Sequence, residues 1–121
     1  MSKKTDPTNE YLIDLIKTLK KTSIERKVNI WKAIAVELEK PTRSRRVVNL
    51  ERINRVGNDN ETIIVPGKVL ASGDLDKKLT IAAFNFSQEA LNKINKKGSA
   101  ITIQELLEKN PKGSKVRIIG W

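Results

Sequence analysis

No apolar run in this chain is longer than four residues, the length of Ile81–Phe84. That is far short of a membrane span, and each short apolar group must bury its face against another. The period of the groups changes along the chain. Leu12, Ile13, Leu15, Ile16 and Leu19 recur at helical spacing after Asp6-Pro7, which reads as an N-cap followed by proline at the first helical position. Thr22 and Glu25 then have capping-box separation and predict the start of a second helix with the apolar face Val28, Trp31, Ile34, Ala35 and Leu38. Pro41 closes it, because the residue before proline disfavours helical backbone. A helix pair over about residues 8–40 is expected.

After Pro41 the pattern shortens. Val47-Val48 is extended, and Asn49 can cap one or two helical turns that turn Leu50 and Ile53 inward. Gly57-Asn58-Asp59-Asn60 is a turn cluster. Thr62–Val65 reads as a buried strand, Pro66-Gly67 as a chain reversal, and Lys68-Val69-Leu70 as the start of another extended piece. Leu79–Phe86 is the strongest strand signal. Ser87 caps a helix with the apolar face Ala90, Leu91 and Ile94, ended by Gly98. Thr102 and Glu105 repeat the capping box ahead of Leu106 and Leu107, Asn110-Pro111 stops that helix, and Val116, Ile118 and Ile119 suggest a last strand. Helices followed by short strands interleaved with helices predict a mixed α/β fold, helices packed beside a small sheet, with the topology of the later half left open.

Charge restricts the partner. The chain has 24 Lys and Arg against 14 Asp and Glu, a formal charge of +10, which calls for an anionic partner such as nucleic acid or an anionic membrane surface. The absence of Cys and His excludes thiolate nucleophiles, disulfides, imidazole bases and the usual zinc sites. Aromatic residues at 4% leave little material for stacking bases, so a surface that tracks the backbone phosphates is favoured. Residues 1–56 hold 14 basic and 7 acidic side chains, and the remainder 10 and 7. Six of the seven arginines lie between Arg26 and Arg55, and arginine is the bidentate phosphate ligand. Met1-Ser2-Lys3-Lys4 is not followed by an apolar stretch, so no secretory signal is expected, and the absence of Cys fits the expected cytoplasmic location.

Candidate contacts follow from this distribution. Arg43, Arg45 and Arg46 form a basic loop over 41–46, Arg52 and Arg55 lie on the following short helix, and Lys68 sits in a Gly-containing segment with Gly67. That segment either lets backbone approach a phosphate or makes a tight turn between strands. It is no P-loop, since Thr62 and Val69 stand where Gly and Ser or Thr are required. Lys93, Lys96 and Lys97 end a helix, where capping the dipole is the first reading, and Lys112 and Lys115 lie in a later loop. Asp74 and Asp76 form a carboxylate pair, but in a Gly-containing turn the residue type is explained by conformation. No enzyme is expected. Trp31 belongs to an apolar stripe, whereas Trp121 either docks on the body or packs on RNA or a neighbouring protein.

In their order and spacing several segments resemble the eighteen-e family of archaeal and eukaryotic large-subunit ribosomal proteins, which is similar to the bacterial fifteen family. The carriers are Thr8-Asn9, Leu38-x-x-Pro41, Val48-Asn49-Leu50-x-Arg52-Ile53-Asn54, Val65-Pro66-Gly67-Lys68-Val69-Leu70-x-x-Gly73-x-Leu75 and Asn110-Pro111-Lys112-Gly113-Ser114. The compact length resembles archaeal members, and Thr42 and Ser44 interrupt a segment that is often more continuously basic in the family. The resemblance implies a structural constituent of the large subunit that binds and stabilises folded rRNA, without catalysis or cofactor, beside neighbouring ribosomal proteins. It also implies an irregular superhelix of β-β-α turns after the helical region. On this reading residues 1–7 are a flexible basic start and 8–121 one rRNA-binding domain, with a mixed α/β part over 47–121. Arg43, Arg45, Arg46, Arg52, Arg55 and Lys68 lead the candidate rRNA contacts, and Asn49, Asn54, Gly67, Lys112 and Lys115 complete them. Neither a membrane nor a small-molecule substrate is expected as partner. The alternative reading is a free-standing basic nucleic-acid-binding protein or RNA chaperone.

Overall fold

A computed structural model describes residues 10–40 and 46–120, the Arg46 side chain excepted. The predicted helix start at Asp6-Pro7, Thr8-Asn9, Pro41, Arg43, Arg45 and Trp121 lie outside the described residues. Helices α1 (Glu10–Arg26) and α2 (Asn29–Leu38) are followed by strand β1 (Arg46–Asn49) and helix α3 (Leu50–Val56). Then come β2 (Thr62–Leu70), β3 (Thr80–Phe86), α4 (Gln88–Asn95), β4 (Ser99–Thr102), α5 (Ile103–Lys109) and β5 (Val116–Ile118). The mixed α/β expectation with leading helices holds.

The break between the first two helices does not fall at the predicted capping box. Thr22 and Glu25 both lie inside α1. The helix ends instead at Lys27, in left-handed backbone with φ 58°, and the Val28 N–H donates back to Ser23 O at 3.1 Å. This is the six-to-one bond of a Schellman ending, made here with lysine where glycine is usual. Ser23 reinforces it, its Oγ donating to Val28 O at 2.8 Å. The apolar stripe of α2 is as predicted, with Trp31, Ile34, Ala35 and Leu38 buried. The Ser87 cap also holds, accepting from Ala90 N–H, and so does the Thr102–Glu105 capping box, in which both reciprocal bonds form.

All strand pairings are parallel, in the order β1-β2-β3-β4, with β5 also on β2. Pro66-Gly67 does not reverse the chain: both residues are buried within β2. Between the pairs Val65↔Ala83 and Lys68↔Asn85 the register advances three residues on β2 against two on β3, which is a β-bulge. Proline lacks an N–H, so a bulge is where a central strand can hold it. The same point divides the opposite edge of β2: β5 pairs with Thr62–Ile64 before it, and β1 with Gly67–Leu70 after it.

Parallel sheets need cover on both faces, and this one has two cores. Ile63, Val65, Val69, Ile81 and Ala83 face α3 and α4, whereas Ile64 and Ala82 face α1, α2 and α5. The outer edge of β4 is closed by side chains. Ala100 N–H donates to Asn95 Oδ1 at 3.0 Å and Thr102 N–H to Glu105 Oε1 at 2.9 Å, which blunts an otherwise open ladder.

Two contacts tie segments that are separated in the chain. Arg117 Nε on β5 donates to both oxygens of Glu61, at 2.9 and 3.0 Å, beside the start of β2. That bond holds the Glu61 carboxyl below its ordinary range, helped by the Asn58 N–H and opposed by partial desolvation. Gly98 meets Leu79 so closely that a Cβ would stand 1.9 Å from the Leu79 carbonyl oxygen. Gly98→Ala is therefore expected to lower stability by about 3 kcal/mol in chemical denaturation. A carbon-detected titration should place Glu61 below the usual glutamate midpoint, and Arg117→Met should raise it. The stabilisation from this pair is complete above the ordinary carboxylate range and disappears as pH falls through the lowered folded-state midpoint.

Candidate nucleic-acid interface

The β1–β2 ladder brings sequence-distant candidates side by side. Arg46 pairs with Gly67, Val47 with Lys68, Val48 with Val69 and Asn49 with Leu70. Paired residues of a parallel ladder point to the same face, and successive residues alternate. Val48 and Val69 are buried in the α3–α4 core, so Val47 and Lys68 point to the other face. There the helical cover stops short. Ile64 and Ala82 are buried beneath α1, α2 and α5, whereas Val47 is 58% exposed and Asn49, Lys68 and Asn85 are also exposed. This end of the sheet is an open strip.

Helix α3 follows the strip in the chain and packs on the other face of the sheet, with Leu50 and Ile53 in the core that holds Val48 and Val69. Asn49 stands at its N-cap with extended backbone (φ −89°, ψ 154°) but makes no capping hydrogen bond, which leaves its exposed side chain uncommitted to the helix. Leu50 and Ile53 anchor the inner side of the helix, and Arg52 and Arg55 are exposed. Arg43 and Arg45 lie outside the described residues and precede β1 in sequence.

Two candidates have internal duties. Asn54 Oδ1 accepts from Asp76 N–H at 3.2 Å and ties α3 to the segment joining β2 to β3. Gly67 is buried in the ladder opposite Arg46. Lys112 and Lys115, both exposed, lie away from the strip, near the start of β5 and the opposite end of β2.

Other lysines of the later half serve the fold, a role that their sequence positions did not signal. The connection from β2 to β3 crosses back to a parallel strand without a helix. Its carbonyls are held by ammonium groups: Lys93 donates to Ala71 O and Gly73 O, each at 2.9 Å, and Lys97 donates to Asp76 O at 3.2 Å. Lys77 likewise donates to Gly57 O at 2.6 Å. Lys97 thus serves a neighbouring loop in addition to any effect on its own helix. Gly73, at φ 91°, lies so close to Glu51 that a Cβ would approach its Cβ to 2.6 Å, while Glu51 N–H donates to Ser72 O at 3.0 Å. The segment from Gly73 to Leu75 is therefore a packing motif that turns Leu75 into the core. Asp74 and Asp76 are exposed in it, and the described residues contain no group of three or more acidic side chains able to hold a metal ion. No helix among the described residues is long and apolar enough to cross a membrane.

Comparison with known proteins gives the family. Residues 27–102 match the family model that describes ribosomal proteins 50S-L15 and 50S-L18e together with their 60S counterpart. Large ribosomal subunit protein eL18 of Methanoregula boonei is 52% identical over 120 residues, covering 98% of this chain and 99% of its own. The proteins of the same name from Methanospirillum hungatei and Methanothermobacter thermautotrophicus are 47% and 43% identical over the same shares of each chain. With the family model matched over more than half of its length and such relatives along nearly all of it, the chain belongs to the family of 50S-L15, 50S-L18e and their 60S counterpart, whose members are ribosomal proteins and not enzymes.

Proposed function

We propose that this protein binds and stabilises folded rRNA within the large ribosomal subunit, in the cytoplasm and beside other large-subunit proteins, with residues 8–121 acting as one rRNA-binding unit. Arg43, Arg45, Arg46, Arg52, Arg55 and Lys68 are its leading phosphate contacts, and Asn49 is an uncharged further contact. The observation that carries this reading is the open strip at the end of the sheet, where register sets Lys68 next to the strand that continues the basic loop. The relatives named as large-subunit proteins give the polyanion its identity. Contact is to backbone and shape, because the major groove of A-form RNA is too narrow for side chains to read and this chain has few aromatic residues for stacking.

Six phosphate contacts would give a log–log salt slope of roughly −4 to −5 for binding to large-subunit rRNA fragments. Salt-insensitive binding would contradict the proposal. Changing Arg43, Arg45 and Arg46 together to Ala is expected to weaken binding and flatten that slope while leaving the thermal midpoint nearly unchanged. Lys93→Met provides the opposite signature: loss of two carbonyl contacts lowers stability by about 1–2 kcal/mol, and the salt slope stays the same. Sucrose-gradient fractionation of a lysate should show the protein with large subunits after a high-salt wash; a soluble pool alone would favour a free-standing nucleic-acid chaperone.

A further inference from the structure

A second basic surface exists only because the fold brings two distant loops together. The loop after α5 packs on the turn between α1 and α2: Trp31 Nε1–H donates to Pro111 O at 2.7 Å. A Cβ on Gly113 (φ 66°) would meet Ile30 Cγ2 at 2.8 Å and Val28 Cγ1 at 3.3 Å, so the loop lies tightly against the helix start. It is also braced internally. Asn110 Nδ2 donates to Ser114 O at 2.9 Å, and the Asn110 carbonyl accepts from Gly113 N–H at the same distance. The loop that carries Lys112 and Lys115 therefore lies against the start of α2, which carries Lys32 and directly follows the turn that carries Arg26 and Lys27.

All five of these cations are exposed, and none forms an ion pair with another described residue. The nearby carboxylates do not cancel them. Glu61 is engaged by Arg117, and with Glu25, Asp59 and Glu108 all counted the five cations keep a positive excess. Lys27 and Lys115 both occupy left-handed backbone, with φ 58° and 57°, where asparagine or glycine would be less strained. An exposed, rigid group of cations with no aromatic platform fits phosphates and not bases.

This surface is remote from the open strip. Lys115 precedes Val116, which pairs with Thr62 at the start of β2, and Lys68 lies six residues further along the same strand, roughly 20 Å away at about 3.3 Å per residue. We infer that the protein bridges two RNA segments, one on the open strip and the other on the surface built from Arg26, Lys27, Lys32, Lys112 and Lys115. The inference rests on the reading that the partner is RNA, and it adds a second, separately removable site.

The test counts copies of a short RNA hairpin bound per chain, by native mass spectrometry and by energy transfer between donor- and acceptor-labelled hairpins. Wild type is expected to bind two hairpins and to bring donor and acceptor together. The variant Lys27→Asn/Lys112→Gln/Lys115→Asn removes charge while suiting the backbone at each position. It should bind one hairpin, lose energy transfer and flatten the overall salt slope by about 2 to 3. The variant Arg52→Ala/Arg55→Ala/Lys68→Ala should lose the other hairpin. If wild type binds a single hairpin, or if the loop variant still binds two, the second surface is refuted. If the strip variant keeps both hairpins while the loop variant loses one, the second surface stands and the strip assignment fails.

Discussion

Strand β2 organises this fold, pairing with three of the other four strands among the described residues. It pairs with β3 along one edge and with β5 and then β1 along the other, and its alternating side chains enter both cores. The bulge at Pro66-Gly67 makes this possible. It accommodates a residue without an N–H, shifts the register against β3, and coincides with the change from one partner strand to the next on the opposite edge. Beyond the bulge Asn85 pairs with Lys68, and Phe86 packs on the α3–α4 core beside its partner Val69.

The strand also explains the separation of the positive charge. The first turn of α2 and the loop after α5 meet near its beginning, and β1 with the arginine-bearing α3 meets its end. Between them, Lys77, Lys93 and Lys97 spend their hydrogen bonds on carbonyls around the β2–β3 connection and on Gly57. A helix-free parallel crossover leaves backbone carbonyls without ladder partners, and ammonium groups can satisfy them at modest net gain. Lysines of this kind contribute to the formal charge and to the fold together, so the net charge overstates the number of cations free for a partner.

Much of the local structure is legible from residue spacing. The α2 stripe, the Ser87 cap, the Thr102–Glu105 capping box, the Leu79–Phe86 strand and the last short strand all follow from signals confined to a few neighbouring residues. Two misread positions share a cause. Thr22–Glu25 has the form of a helix start and Pro66-Gly67 the form of a turn, yet each is overruled by its surroundings: a Schellman ending at Lys27–Val28 in one case, and pairing on both edges of a central strand in the other. Of the candidate contacts, exposed Arg52, Arg55 and Lys68 suit their proposed role, whereas Asn54 holds a loop and Gly67 is buried.

The sequence by itself determined the class of the fold, the excess of positive charge and its arginine-rich stretch, and the family, because these depend on composition, on short-range periodicity and on the order of motifs. Only the tertiary structure decided which cations share a surface. Lys68 comes beside the strand that begins at Arg46 through parallel register, and the loop that carries Lys112 comes against the start of α2 through the Trp31–Pro111 hydrogen bond and the close packing of Gly113. Both are contacts between residues far apart in the chain, which no local spacing encodes.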